Sequence, residues 1–292
     1  MRITSGQSYQ NLLRNLESIR ERMQQAQTEI TSGDKINQLS DDPAGAADLV
    51  RLTGEKREIE QYTSNAASGK DRLDYTDTVL NSVQSLVQRV ITLGQLGLGN
   101  PSNPASAYTT EMDGLRNQLV STANTAFQGT FIFGGSVTNK PPYVLQPDTS
   151  VTYQGNSSAT VVQVGRASTL QIQIPGSQVF SGSINVFDVV KQLSDAIKSG
   201  DKTAIQGQVT NLQQYYDSVS VVRSQVGSLS NAAQNTQSDL QAYELARASD
   251  QSRIQSADLA QATTDFTQNQ TALQAAVAAG AKVSQVSILD YL

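Results

Sequence analysis

The chain of 292 residues contains no cysteine, no histidine and no tryptophan. Without cysteine there is no disulfide or thiol chemistry, and the redox compartment stays open. Without histidine the commonest metal ligand and the commonest general base near neutral pH are missing, which leaves only sites built from carboxylates. Aromatic residues are 5% and hydrophobic residues 38%, low for a compact enzyme of this size. Apolar stripes buried in thin layers are expected rather than one deep core. The 21 basic residues are scattered among 26 acidic ones, for a net charge of −5. A nucleic-acid partner needs clustered Lys and Arg, so none is expected. There is no run of about 20 apolar residues, and no membrane span is predicted. The opening MRITSGQSYQ turns polar at once, so the chain is read as cytosolic or as exported without a cleaved signal.

What the chain does have is helical periodicity. Tyr9, Leu12, Leu16, Ile19, Met23, Ala26 and Ile30 recur at spacings of three and four, a seam that asks for a partner helix. Ser32-Gly33 stops this helix, with Gly at the left-handed cap. A second helix starts at LSDDPAG, with Asp42 at the N-cap, Pro43 at the first helical position and Leu73, Leu80, Val83, Val87 and Val90 on one side, and is expected to end at Gly94, Gly97, Gly99 and Pro101. A third is expected over about 106–127 on Tyr108, Met112, Leu115, Leu119, Thr122 and Ala126. A very long helix begins near Asp201 with a seam from Leu212 to Tyr243, and a last segment runs from about Ile254 to Leu292.

Between the helices the texture changes. SVTYQG, TVVQVG and STLQIQIPG alternate with period two and read as strands, with Leu170, Ile172 and Ile174 on one face and Gln171 and Gln173 on the other. NVFDVVKQLSDAIKSG then reads as a short helix. The expected fold is mainly α with a β insert: a rod-like bundle of long helices formed by paired N- and C-terminal regions. The expected division is 1–40 with 254–292 as inner terminal helices, 41–129 with 184–253 as a helical bundle, and 130–183 as a small β-rich inserted domain.

FTQNQTALQAAVAAGAKV carries no charge between Asp265 and Lys282, yet holds Gln268, Asn269, Gln270 and Gln274. A water-facing helix would be richer in charge, and a bilayer would reject the amides. Leu259, Ala262, Phe266, Leu273, Val277 and Ala281 form its seam, mostly small residues that let helices approach closely. Other protein helices are its expected surroundings. The assembly interface is therefore placed on these residues together with the seam Tyr9 to Ile30, the termini becoming helical on assembly.

The chemistry-bearing candidates reduce to structural readings. Asp41 and Asp42 before Pro are what a helix start favours over a catalytic pair. Gly134-Gly135 lacks any phosphate-loop signature, and Tyr215-Tyr216 on a long helix reads as packing. Between Thr130 and Gly182 the only acidic residue is Asp148, too little for a secreted hydrolase. No catalytic residue, cofactor or metal is expected.

SGDKINQLSDDPAG (32–45), LVQRVITLGQLGLGN (86–100) and RIQSADLAQATTDFTQNQTALQAAVAAGAKVSQVSILDYL (253–292) resemble blocks of bacterial flagellins and hook-associated proteins over about 1–130 and 200–292. Within that family MRITSGQSYQNLLRNL, FQGTFIFGGS, Pro43 in DDPAG and the modest length are most similar to the hook–filament junction type. The resemblance implies a non-enzymatic subunit of the flagellum outside the cell, exported by the flagellar type III apparatus. Its implied partners are hook-associated protein 1, flagellin, other copies of itself and a cytosolic export chaperone on its C-terminal region. Gln88 and Arg89 fall in a block that an innate immune receptor contacts in some flagellins; here a solvated or subunit-facing helix is the reading, since Gly94 and Leu96 depart from that block. A filament flagellin is the alternative within the family, and a membrane-active secretion translocator the alternative outside it.

Overall fold

The computed structural model describes residues 2–99 and 105–289, with side chains over 7, 9–99 and 105–281. The chain is mainly helical, with long helices at both ends and small antiparallel β elements in the middle. In order these are α1 (Arg2–Ser32), α2 (Pro43–Gly99), α3 (Ala105–Ala123), β1 (Ala126–Phe127), β2 (Thr130–Phe131), β3 (Tyr143–Leu145), β4 (Val151–Tyr153), β5 (Val161–Gln163), β6 (Thr169–Gln171), α4 (Gly176–Val179), α5 (Val186–Ser199), α6 (Lys202–Gln255) and α7 (Leu259–Leu289). Two compact units divide it, one of 1–58 with 243–292 and one of 59–242. The unit with the terminal helices thus includes the start of α2 and the end of α6.

The second unit is built on the stripes that the spacing marks out. Leu73, Leu80, Val83, Val87 and Val90 of α2 meet Met112 and Leu119 of α3, Leu193 of α5, and Leu212, Tyr215, Val219 and Val226 of α6 in one buried cluster. Ile132, Phe133, Tyr143, Ile174 and Phe180 from the middle segment belong to that same cluster. The middle segment therefore has no separate core of its own. Its aromatic centre is Phe180, with ring centroids 5.1 Å from Phe133 edge-on, 5.2 Å from Tyr143 and 5.7 Å from Phe187.

The β elements are three separate two-stranded hairpins, β1–β2, β3–β4 and β5–β6. Each is anchored differently. Asn124, just past α3, exchanges two hydrogen bonds with the Tyr143 backbone, its Nδ2 donating to the carbonyl (2.7 Å) and its Oδ1 accepting from the amide (2.9 Å). That exchange takes over where helical bonding stops, so α3 ends at Ala123 and the expected extension to 127 becomes β1. Leu170 and Ile172 of the third hairpin form a small cluster with Ala66 of α2 and Ala233 of α6, and Asn65 donates to the Gln163 carbonyl (2.8 Å). The third hairpin thus lies against the middle of α2.

The expected end of α2 needs correction. Gly94 and Gly97 do not end α2, which continues to Gly99; Pro101 lies outside the described residues. A Cβ on Gly94 would stand 2.7 Å from Val209 Cγ2, and one on Gly97 3.1 Å from Ile197 Cδ1, so these glycines admit neighbouring side chains. Gln173, read onto the face opposite Ile172 and Ile174, is itself 1% exposed, and its Oε1 accepts from Arg72 Nη2 (3.2 Å) and Thr160 Oγ1 (2.8 Å). Arg72 further donates to Thr130 Oγ1 (2.8 Å) and the Phe131 carbonyl (3.1 Å). Burial pushes its guanidinium pKa down.

Candidate assembly surface

The first unit is organised around α1 and α7, which pack antiparallel. Leu12 of α1 meets Gly280 near one end, while Ala26 and Glu29 share a groove with Asp265 toward the other. The segments between helices at 33–42 and 256–258 lie side by side. The Lys35 amide donates to the Gln255 carbonyl (2.7 Å) and the Ala257 amide to the Gly33 carbonyl (2.9 Å), a short antiparallel bridge with Asp34 opposite Ser256. Gln255 Nε2 adds a bond to Asp34 Oδ2 (3.0 Å).

Local sequence chemistry explains both segments. Gly33 adopts φ +77°, the left-handed conformation in which glycine ends helices most readily. Asp41 Oδ2 accepts from the Asn37 (3.0 Å) and Gln38 (2.8 Å) amides, folding the loop back on itself. Asp42 Oδ1 accepts from the Gly45 amide (2.9 Å) and caps α2, with Pro43 needing no donor at the first helical position. Asp258 does the same for α7, its Oδ1 accepting from Ala260 (3.0 Å) and Gln261 (3.1 Å). The Asp258 cap and the Asp34–Ser256 bridge escaped sequence reading. Asp258 ahead of an apolar run is an N-cap signal, whereas nothing local announces a bridge across more than two hundred residues.

The candidate interface residues fall into two groups. On α1, Ala26 is buried, Leu12, Leu16, Ile19, Met23 and Ile30 are half-buried, and Tyr9 is exposed. On α7, Ala262 is buried and Phe266 and Leu273 are half-buried toward α1, while Leu259, Val277 and Ala281 are exposed. A single partner helix covers only a narrow stripe, here continued by Asn269, Ala272, Ala276 and Gly280. Leu259 and Val277 are 18 positions apart, about five turns, so they line up on one side of α7 with Ala281 close by. The hydroxyls of Thr263, Thr264, Thr267 and Thr271 donate to carbonyls four residues back at 2.8–2.9 Å, which spends their polarity on their own helix. Between Leu259 and Ala281 the one charged residue on this helix is Asp265.

Among the described residues no cluster of carboxylates is arranged to hold a metal, and no helix is long and apolar enough to cross a membrane. Arg89 is paired with Glu111 (2.6 Å) on the solvent side of α2, and Tyr215 is sealed in the core of the second unit.

The sequence aligns with known proteins along these helices. Residues 3–138 match the bacterial flagellin N-terminal helical region, and residues 209–292 match the bacterial flagellin C-terminal helical region. A flagellin of Bacillus subtilis is 26% identical over 98% of this chain and 97% of its own length. Flagellar hook-associated protein 3 of Escherichia coli is 22% identical over 99% of both chains. Among solved structures, a Vibrio parahaemolyticus chain described as a flagellar hook-associated protein superposes with a TM-score of 0.68 at 22% identity, covering 74% of this chain and all of that one (100%). Long terminal helices that pair with each other, matched at both ends of the chain to the flagellin regions, place this protein in the flagellin and hook-associated protein family of flagellar structural proteins.

Proposed function

We propose that this protein is the subunit of the hook–filament junction, forming the layer between hook-associated protein 1 and the flagellin filament. The observation that carries the reading is the end-to-end similarity to flagellar hook-associated protein 3. The terminal helices support it physically. A helix pair whose contact stripe is mostly half-buried, and which leaves Leu259, Val277 and Tyr9 about half exposed at 50%, 54% and 56%, is marginal alone. Neighbouring copies would cover those faces, and repeated head-to-tail contacts produce a ring or tube rather than a closed dimer. An adaptor in that position presents one surface to hook-associated protein 1 and another to flagellin. It works outside the cell, reached through the flagellar export apparatus, with a cytosolic chaperone holding the C-terminal region beforehand.

Deleting the gene tests the reading. Cells should keep their hooks, carry no attached filament, and shed flagellin into the medium. A second reading, filament flagellin, is favoured by the equally complete match to the Bacillus subtilis flagellin. Under that reading the deletion removes the filament protein itself, and none accumulates outside.

A further inference from the structure

A single guanidinium fastens two parts of the middle segment that lie far apart in sequence. Arg72 stands in the middle of α2 and is buried. Its Nη1 donates to Thr130 Oγ1 (2.8 Å) and its Nη2 to the Phe131 carbonyl (3.1 Å), both on β2 of the first hairpin. The same Nη2 donates to Gln173 Oε1 (3.2 Å), just beyond β6 of the third hairpin. Both contacts continue into their hairpins. Thr130 Oγ1 donates to the Phe127 carbonyl on β1 (2.9 Å), and Gln173 Oε1 also accepts from Thr160 Oγ1 (2.8 Å), just ahead of β5. The Ile172 amide in turn donates to the Thr160 carbonyl (3.0 Å). The second hairpin is anchored elsewhere, by Asn124 just past α3.

Neither hairpin is self-sufficient. Two-stranded ribbons are marginal in water, and the first has only two residues in each strand. The third rests on a small cluster of Ala66, Val164, Leu170, Ile172 and Ala233, apart from the larger core. Each therefore depends on its bonds to α2. Hydrogen bonds from a buried cation are strong while water is kept out. When either hairpin lifts away, water reaches the guanidinium, and its bond to the other hairpin weakens. A lysine could not do the same, because a guanidinium holds several donors in a fixed plane and an ammonium is a single point charge. We propose that Arg72 is the positioning residue that couples the first and third hairpins, so that the two open and close as one element while the second hairpin moves independently. Such coupling is reciprocal: a contact that steadies one hairpin steadies the other.

Amide exchange of the full chain, read residue by residue by NMR, tests this. The Phe131 and Ile132 amides, bonded to the Thr138 and Thr125 carbonyls, report on the first hairpin. Val164 and Ile172, bonded to the Ser168 and Thr160 carbonyls, report on the third, and Gln154, bonded to the Pro142 carbonyl, on the second. Arg72→Met should speed exchange about tenfold or more at both the first and the third hairpin, the loss of one charge-assisted bond at each. Gln154, and Val226 in the core of α6, should be unchanged. Arg72→Lys should preserve one of the two hairpins at most. Thr130→Val removes only a hydroxyl from the first hairpin, yet it should also speed Ile172, and it should add nothing at Ile172 when residue 72 is already changed by Arg72→Met. Loosening of one hairpin alone by Arg72→Met, or equal loosening of all three, overturns the proposal. So does a Thr130→Val effect that stops at the first hairpin, a result that counts even if Arg72→Met does not fold.

Discussion

Gly280 of α7 lies so close to Leu12 of α1 that a Cβ on the glycine would stand 2.8 Å from Leu12 Cδ2. The two terminal helices therefore meet with almost no side chain between them at that level. Toward their other end the Asp34–Ser256 bridge joins the segments that connect these helices to α2 and α6, so the pair is tied there as well.

Side-chain size at 280 should consequently control the pair. Gly280→Ala should be tolerated, because Leu12 Cδ2 is the far end of a flexible side chain and can turn aside. Gly280→Val should force the helices apart at a cost of about 1–3 kcal/mol and abolish assembly. Sedimentation of assembled material distinguishes the two variants, and equal assembly of both would contradict the close approach.

Apolar seam residues should matter more for assembly than for folding of the free chain. Leu16→Asp and Phe266→Asp place a charge on half-buried positions of the terminal pair. Assembly should be lost, while the melting temperature of the second unit stays within about 1 °C of the parent, since distant sites act independently. Calorimetry with electron microscopy of the product checks both halves. Normal assembly by either variant would remove that residue from the interface.

Alkaline pH should unfold the second unit steeply. Burial raises the hydroxyl pKa of both Tyr143 and Tyr215 well above 10 in the folded state, while the unfolded chain ionises near 10. A raised folded pKa gives stability that is fully present below pH 10 and lost as pH climbs above it. Each tyrosine should remove about 1.4 kcal/mol per pH unit there. Urea midpoints between pH 9 and 11.5 measure the slope. Tyr215→Phe should reduce the slope by one tyrosine's share, and an unaltered slope would show that Tyr215 ionises freely.

The legible part of this chain was its one-dimensional part. Tyr9 to Ile30, Leu73 to Val90 and Leu212 to Leu240 have a periodicity that helices need, and Gly33, Asp42 and Pro43 carry their punctuation in their own chemistry. Gly94 and Gly97 misled because a glycine that ends a helix and one that admits Val209 or Ile197 are spelled alike. The burial of Gln173 is not announced by strand alternation, because its partner, Arg72, is 101 residues away and offers no local signal. On α7 the small residues blurred which stripe faces α1, and the sequence grouped Leu259 and Val277 with Phe266, although a single neighbouring helix reaches only the latter.

A strained turn offers an independent check. Thr149 adopts φ +66° in the β3–β4 loop, where a β-branched side chain is disfavoured. Thr149→Gly should stabilise by about 0.5–1 kcal/mol, the relieved strain outweighing the added freedom of the unfolded chain. A lower melting temperature would mean that Thr149 makes a compensating contact.

Amide hydrogen exchange compared between the soluble monomer and the assembled form tests the central claim most directly. Residues 10–30 and 259–281 should exchange as rapidly in the lone chain as a frayed helix pair does, and become strongly protected only in the assembly. Strong protection of these segments in the isolated monomer would mean that the terminal pair is complete without neighbours, and the assembly role assigned to it would be wrong.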